Sequence, residues 1–232
     1  MDARCTVNNT YLFQDSFVDN ILRYPFTNIL LGQVYPVISI IGIILNILFL
    51  TLVVFDKAMR TITNYYLVNL ALADLLILVY SLGTSQAMLY TTPLKESKPF
   101  LGSNSCLIDF GIKYTLYHVS LFLVTLVSVE RFMAICHPLL HRRVAGTRRT
   151  VKLCMGCWLV SLVIGILEAH ISGNTGFFCV TFETKYPGEA LLMQTCTFWI
   201  FNRYMQLLDP VVEVIPFVIC IIGKSKSKFF LV

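Results

Sequence analysis

Charged residues are scarce in this chain of 232 residues, at 13% of the total. Soluble domains carry about 25%. Hydrophobic residues make up 56%, and the mean hydropathy is +0.73. This composition excludes a water-soluble globular enzyme. It also excludes a disordered chain, because disorder needs few apolar residues and a high net charge, whereas the net charge here is only +5. The informative count is therefore that of membrane spans.

The sequence also lacks the patterns of a transporter or a membrane enzyme. It has no inverted repeat, no pair of Gly/Pro-broken helices, no His/Glu metal spacing and no nucleophile with a base. His137 and His141 are four residues apart, but Pro138 lies between them and no carboxylate accompanies them. This pair indicates a solvated basic loop rather than a zinc site. We therefore expect neither an enzyme nor a cofactor-binding protein.

Five apolar stretches are long enough to cross a bilayer. The first, Val34 to Phe55, has 22 residues without Asp, Glu, Lys or Arg. Such a helix reaches roughly 33 Å, against a hydrocarbon core of about 30 Å. The predicted fold is thus an all-α bundle at residues 34–223, preceded by an N-terminal segment at 1–33 and followed by a basic tail at 224–232. The other four predicted spans are Tyr65–Tyr90, Cys106–Ile135, Val151–Ile171 and Trp199–Gly223.

The distribution of basic residues predicts the orientation. With the N-terminus outside, eleven Lys and Arg residues face the cytosol and six face outward, which satisfies the positive-inside rule. The first 30 residues have no continuous apolar core, so we expect no cleavable signal peptide. Asn8 begins an Asn-Asn-Thr glycosylation sequon on the predicted outer side.

Four of the eight cysteines fall on the predicted oxidising side, where disulfides form. Cys106 opens the third predicted helix and Cys179 lies in the long loop after the fourth. A bridge between them would tie this loop over the mouth of the bundle, and we predict that pairing over the alternative of unpaired thiols. Cys5 and Cys196 form a second candidate pair.

Three polar residues are predicted to lie near the middle of the membrane: Asn46, Asp74 and Ser120. Burying a charge there costs at least about 2.5 kcal/mol, so intramembrane ionisable residues suggest function. Converging oxygen ligands suit a small hard cation such as Na⁺. The alternative is a hydrogen-bonded polar cluster without a metal.

The third predicted helix carries Lys113, Ser120 and Arg131 within about 20° of one face at 100° per residue. At its far end Glu130 and Arg131 are predicted to pair as a latch, or else Arg131 extends to the membrane surface. We expect Lys113 to meet an acid, with Asp109, Glu168, Asp209 and Glu213 as candidates. The interpretation is a polar ligand pocket, and the alternative is a purely structural ion pair. The predicted pocket residues are Gln86, Lys113, Tyr114, Tyr117, His118, Asp209 and Glu213.

Several of these residues, taken in order, resemble the signature of rhodopsin-like G-protein-coupled receptors. Asn46, the Leu-Ala-Leu-Ala-Asp run ending at Asp74, and the 25-residue spacing from Cys106 to Arg131 resemble family motifs. So do Glu130-Arg131-Phe132, Trp158, Cys179 and Pro216. The segments 59–67, 98–100 and 129–138 are similar to peptide receptors such as those for neuromedin U and thyrotropin-releasing hormone.

The resemblance implies an extracellular peptide ligand, a heterotrimeric G protein contacting Glu130, Arg131 and Phe132, and a plasma-membrane location, with a receptor dimer as a further partner. We expect the basic residues at 142–152 to contact anionic lipid or the G protein rather than nucleic acid. The resemblance stops near Gly223, two helices short of the family pattern. We therefore expect a truncated form that does not signal by itself. The alternative is a non-signalling interaction protein that pairs with a full-length receptor and retains it in the endoplasmic reticulum.

Overall fold

A computed structural model describes residues 10–13, 25–91, 94, 104–171, 175–182 and 191–196. Its helices are α1 (Pro25–Phe55), α2 (Ile62–Thr91), α3 (Ser105–Cys136), the short α4 (Pro138–Val144) and α5 (Thr147–Ile171). Its strands are β1 (Thr10–Phe13), β2 (Thr175–Phe182) and β3 (Leu191–Cys196). The four long helices are long and apolar enough to cross a membrane, which confirms the helical membrane bundle. The fifth predicted span lies outside the described residues.

The first helix begins earlier than the apolar stretch predicts. It starts at Pro25 rather than Val34, passes through a π-helical turn at Leu30–Val34 and continues from Tyr35. Proline suits the first helical position, because its missing N–H would have no partner there. Pro36, in contrast, lacks the N–H that a continuous α-helix needs, and a π-helical turn accommodates such a disruption.

The bundle is held together mainly through α3. This helix packs most extensively against α5, and α2 packs against both α1 and α3. The buried core of the bundle contains Tyr66 and Ala73 of α2, Val119 and Leu123 of α3, and Cys154 of α5. The outward faces remain apolar and exposed, as lipid contact requires.

A three-stranded sheet lies at one end of the bundle, and the all-α prediction did not include it. β2 and β3 form an antiparallel pair, and β1 lies parallel to β2 on its other side. We call this end the sheet end, and the opposite end, which carries α4, the basic end.

Candidate functional site

The disulfide at the sheet end joins Cys106 to Cys196, so the predicted Cys106–Cys179 pairing is wrong, as is the second candidate pair of Cys5 with Cys196. Antiparallel pairing sets Cys196 opposite Thr175, at the start of β2 just beyond α5. Cys179 is four residues further along the strand, which is about 13 Å. The return strand therefore brings Cys196, rather than Cys179, back to the first turn of α3. Cys179 is itself disulfide-bonded.

Lys113 meets one of the acids that the sequence analysis proposed. Its Nζ lies 2.8 Å from Asp109 Oδ1, one helical turn away, and Asp109 is buried. The Tyr80 hydroxyl also donates to Asp109, at 3.1 Å, and Lys113 lies 5.9 Å from the centre of the Tyr80 ring. The Lys113 side chain remains 35% exposed. The cluster therefore holds a partly exposed cation next to a buried carboxylate.

The other predicted pocket residues that the structure describes make separate contacts. The Gln86 amide donates to the Leu31 carbonyl at 2.8 Å, joining α2 to the π-helical turn of α1. Tyr114 stacks on Phe110, with ring centroids 5.7 Å apart, and Tyr117 is exposed. Asp209 and Glu213 lie outside the described residues, as does the sequon residue Asn8.

His118 belongs to a buried pair between α3 and α5. Its Nε2 lies 3.0 Å from Glu168 Oε1, and both side chains are less than 10% exposed. From the sequence, Glu168 is expected only as a partner for Lys113. Both residues are nonetheless polar positions in otherwise apolar helices. Because such residues need partners inside a membrane bundle, this feature could have predicted that His118 and Glu168 pair.

Two of the three predicted sodium ligands are in contact. The Ser120 hydroxyl donates to Asp74 Oδ1 at 2.9 Å. The Asn46 amide instead donates to the Gly42 carbonyl of its own helix, at 2.9 Å. No cluster of three His, Cys, Asp or Glu residues occurs in the described part of the chain. The Asp74 carboxylate and the Ser120 hydroxyl thus supply at most three oxygen atoms, fewer than the six that a hard cation commonly takes.

At the basic end, Glu130 does not pair with its neighbour Arg131 as predicted. This buried carboxylate lies 2.8 Å from Nε2 of His141 on α4 and 3.9 Å from Nη1 of Arg149 on α5. Adjacent residues on a helix point in different directions, so Glu130 and Arg131 do not face each other. α4 folds back beneath the end of α3 and thereby brings His141 to Glu130. Arg131 is exposed, and the Phe132 ring packs edge-on against His137.

Trp158 of α5 adds a polar contact between helices, because its indole N–H donates to Asn69 of α2 at 3.3 Å. The described residues thus form a helical membrane bundle with a disulfide-anchored sheet at one end and an exposed basic segment at the other. Comparison with known proteins specifies the class. Residues 45–222 match the family model described as 7 transmembrane receptor (rhodopsin family).

The chain is 29% identical to mouse (Mus musculus) neuromedin-U receptor 2 over 184 residues, covering 79% of this chain and 45% of that protein. It is 29% identical to human (Homo sapiens) lysophosphatidic acid receptor 4 over 225 residues, covering 95% and 53%. It is 26% identical to human C-C chemokine receptor type 8 over 230 residues, covering 96% and 61%.

The chain belongs to the rhodopsin family of seven-transmembrane receptors, and it is a multi-pass membrane protein rather than an enzyme. It spans about half the length of the curated relatives that it matches.

Proposed function

We propose that the sheet end faces outside the cell and binds a peptide ligand, and that the basic end contacts a heterotrimeric G protein. The excess of Lys and Arg at the basic end supports this orientation, because basic residues concentrate on the cytoplasmic side. The observation that carries the ligand proposal is the Tyr80–Asp109–Lys113 cluster beneath the sheet. Lys113 supplies an accessible positive charge for a carboxylate or carbonyl group of the ligand.

The sheet favours a peptide over lysophosphatidic acid, which the name of one relative suggests instead. β1 and β3 occupy the two edges of the sheet. Edge strands present backbone hydrogen-bonding groups, to which an extended peptide can add as a further strand. The disulfide to α3 and the contact between Gln194 and Ser105 hold β3 against the bundle.

Saturation binding to the full chain in lipid nanodiscs tests the ligand proposal. The probes are a panel of synthetic peptides that includes neuromedin U, with lysophosphatidic acid as the comparison. We expect saturable peptide binding that weakens about tenfold in Lys113→Gln, since a hydrogen bond to a charged group contributes about 1.5 kcal/mol or more. Lys113→Arg keeps the charge and is expected to retain most of the affinity. Saturable binding of lysophosphatidic acid alone would instead support a lipid receptor.

At the basic end, α4 presents an apolar tip within a basic surface. Leu139 is 82% exposed, and Arg142 and Arg143 are exposed beside it. Exposed Arg131 at the end of α3 extends this surface. Apolar anchors surrounded by charge are typical of protein interfaces, and this arrangement supports G-protein contact.

Binding of a purified heterotrimeric G protein to the chain in nanodiscs tests this contact. We expect Leu139→Ala to weaken binding about tenfold or more, as for a buried anchor. Leu159→Ala, on the exposed face of α5, is the matched control and is expected to have no effect. Equal binding by the two variants would exclude α4 as the contact.

A sodium ion at Asp74 is a further part of the proposal. The carboxylate and the Ser120 hydroxyl supply two ligands in the interior of the bundle. Additional ligands would come from water or from parts of the chain outside the described residues. The ion would neutralise a carboxylate that is otherwise costly to hold in the membrane.

A further inference from the structure

A groove runs between α1 and α2 at the basic end of the bundle, away from the polar contacts described above. Its cavity volume is about 350 Å³, within the range of about 300–1,000 Å³ found for small-molecule sites. Its walls are apolar and its end is polar. The wall residues are Leu50, Val53, Val54 and Val68, and the polar end is formed by Arg60 and Asn64.

The α1–α2 groove opens on the outward face of α2. Tyr65 lines the groove and is exposed. It precedes Asp74 by nine residues, which is two and a half helical turns, so the two side chains lie on opposite faces. Asp74 faces α3 through its contact with Ser120. The groove therefore opens toward the surrounding lipid and not toward the interior of the bundle.

Arg60 places a positive charge at the end of this groove. The Arg60 side chain is exposed, and its Nη2 donates to the Val54 carbonyl at 2.7 Å, which holds the guanidinium against the last turn of α1. Arginine has five N–H donors, so most of them remain for a bidentate contact with a phosphate.

The charged residues near Arg60 in sequence are Asp56 and Lys57. Lys57 is also exposed, and the first turn of α2 contains no acidic residue. Asp56 accepts a hydrogen bond from the Ala58 N–H, at 2.8 Å. Among the described residues, neither Arg60 nor Lys57 forms a salt bridge. An apolar channel at the boundary of a membrane helix, ending at a cation that has no salt-bridge partner in the described part of the chain, matches the chemistry of an anionic amphiphile.

We propose that the α1–α2 groove binds one anionic phospholipid, with an acyl chain between the two helices and its phosphate paired with Arg60. Each basic residue near a membrane surface contributes to attraction for anionic lipid, and the apolar walls add the hydrophobic contribution. This site is independent of ligand binding at the sheet end and of G-protein contact at α4.

Native mass spectrometry of the full detergent-solubilised chain tests the site, with phosphatidylserine and phosphatidylcholine as competing probes. We expect one tightly bound phosphatidylserine, whose affinity falls about fivefold in Arg60→Gln, as expected for loss of one interfacial cation. Arg143→Gln removes the same charge from α4, which does not line the groove. It is expected to leave the affinity of this one phosphatidylserine unchanged, because any lipid that contacts α4 binds at a separate place. Val54→Trp fills the groove without changing the charge and is expected to displace the lipid.

Three results would overturn the proposal. Equal losses in Arg60→Gln and Arg143→Gln would show attraction to diffuse surface charge. Retention of phosphatidylcholine as firmly as phosphatidylserine, without dependence on Arg60, would show that the groove does not select an anionic lipid. Unchanged phosphatidylserine binding in Val54→Trp would exclude the groove itself. Circular dichroism establishes that each variant keeps its helix content, and if Arg60→Gln loses it, Val54→Trp decides the test.

Discussion

At the residue scale, several acidic side chains that are buried in the described part of the chain have specific partners. Lys113 and Asp109 pair within one helix, whereas His118 and Glu168 pair between α3 and α5. Glu130 binds across two further elements, α4 and α5. These contacts explain how the apolar bundle accommodates buried acidic residues. An unpaired charge in the same position would cost far more free energy.

Asp74 provides the residue-scale prediction. If the Asp74–Ser120 pair holds Na⁺, replacing choline chloride with sodium chloride at the same ionic strength should raise the Tm of the chain, since an ion that binds only the folded state stabilises it. Asp74→Asn removes the charge, and we expect its Tm to be the same in both salts. Thermal unfolding followed by circular dichroism in detergent measures this difference.

Asp56→Asn is the matched control, because Asp56 is exposed at the end of α1. It should keep the sodium response. A sodium effect that persists in Asp74→Asn would place the ion elsewhere or show a general salt effect.

At the scale of elements, a close approach between α3 and α5 depends on a glycine. A Cβ added at Gly165 of α5 would lie 2.8 Å from the backbone nitrogen of Thr115 and 3.0 Å from its Cα. Small residues permit such approaches between membrane helices. The α3–α5 interface therefore tolerates no side chain at this position without moving a helix.

We expect Gly165→Ala to lower the free energy of unfolding by about 1–3 kcal/mol, as for overpacking. Gly156→Ala is the control in the same helix, since nothing lies within 4 Å of its added Cβ. Alanine there should be neutral or stabilising by up to about 1 kcal/mol, because it favours the helix. Denaturation of both variants in mixed micelles measures the difference, and equal stabilities would contradict the close approach.

We predict that His141 holds α4 in its orientation. Removing its 2.8 Å contact to buried Glu130 in His141→Gln should free α4 from the end of α3. A hydrogen bond to a charged group contributes about 1.5–3 kcal/mol, so we expect amide hydrogen exchange across residues 138–144 to accelerate about tenfold or more. Mass spectrometry of the exchanged peptides measures the rates.

Arg142→Gln changes an exposed neighbour on the same helix and should leave these exchange rates unaltered. Faster exchange in both variants would mean that α4 depends on general charge and not on the contact with Glu130. Glu130→Gln should reproduce the effect of His141→Gln only in part, because a neutral amide still accepts a hydrogen bond.

At the scale of the whole molecule, the Cys106–Cys196 disulfide connects the start of α3 to the end of the sheet across 90 residues. A cross-link over so long a segment restricts the unfolded chain strongly and typically contributes about 2–4 kcal/mol. We expect Cys106→Ser, Cys196→Ser and the double variant to lose the same stability, because each removes the same bond.

Peptide mapping without reduction should recover a fragment that contains Cys106 and Cys196 together. A fragment joining Cys106 to Cys179 would restore the pairing predicted from the sequence. Additive losses in the double variant would also contradict the bond, since additivity is the behaviour of independent sites.

The sequence by itself determined that this is a helical membrane protein and identified its family. Long apolar stretches cross lipid only as helices, because their backbone groups find no water to bind. The rarity of polar residues in these stretches also identified Asp74 with Ser120, and Lys113 with an acid, since each must find a partner within the bundle. The sequence did not predict that α1 starts at Pro25, because residues 25–33 are less apolar than the stretch that begins at Val34. A proline at the first helical position nonetheless favours a helix start.

Only the tertiary structure decided which partners meet. The strand register of β2 and β3 carries Cys196 rather than Cys179 to Cys106. The fold of α4 brings His141 to Glu130 and leaves Arg131 exposed. Spacing along one helix fixes the face on which a side chain lies, but the element opposite that face depends on how the other elements pack. For this reason the sequence located the polar positions, whereas the fold assigned their contacts.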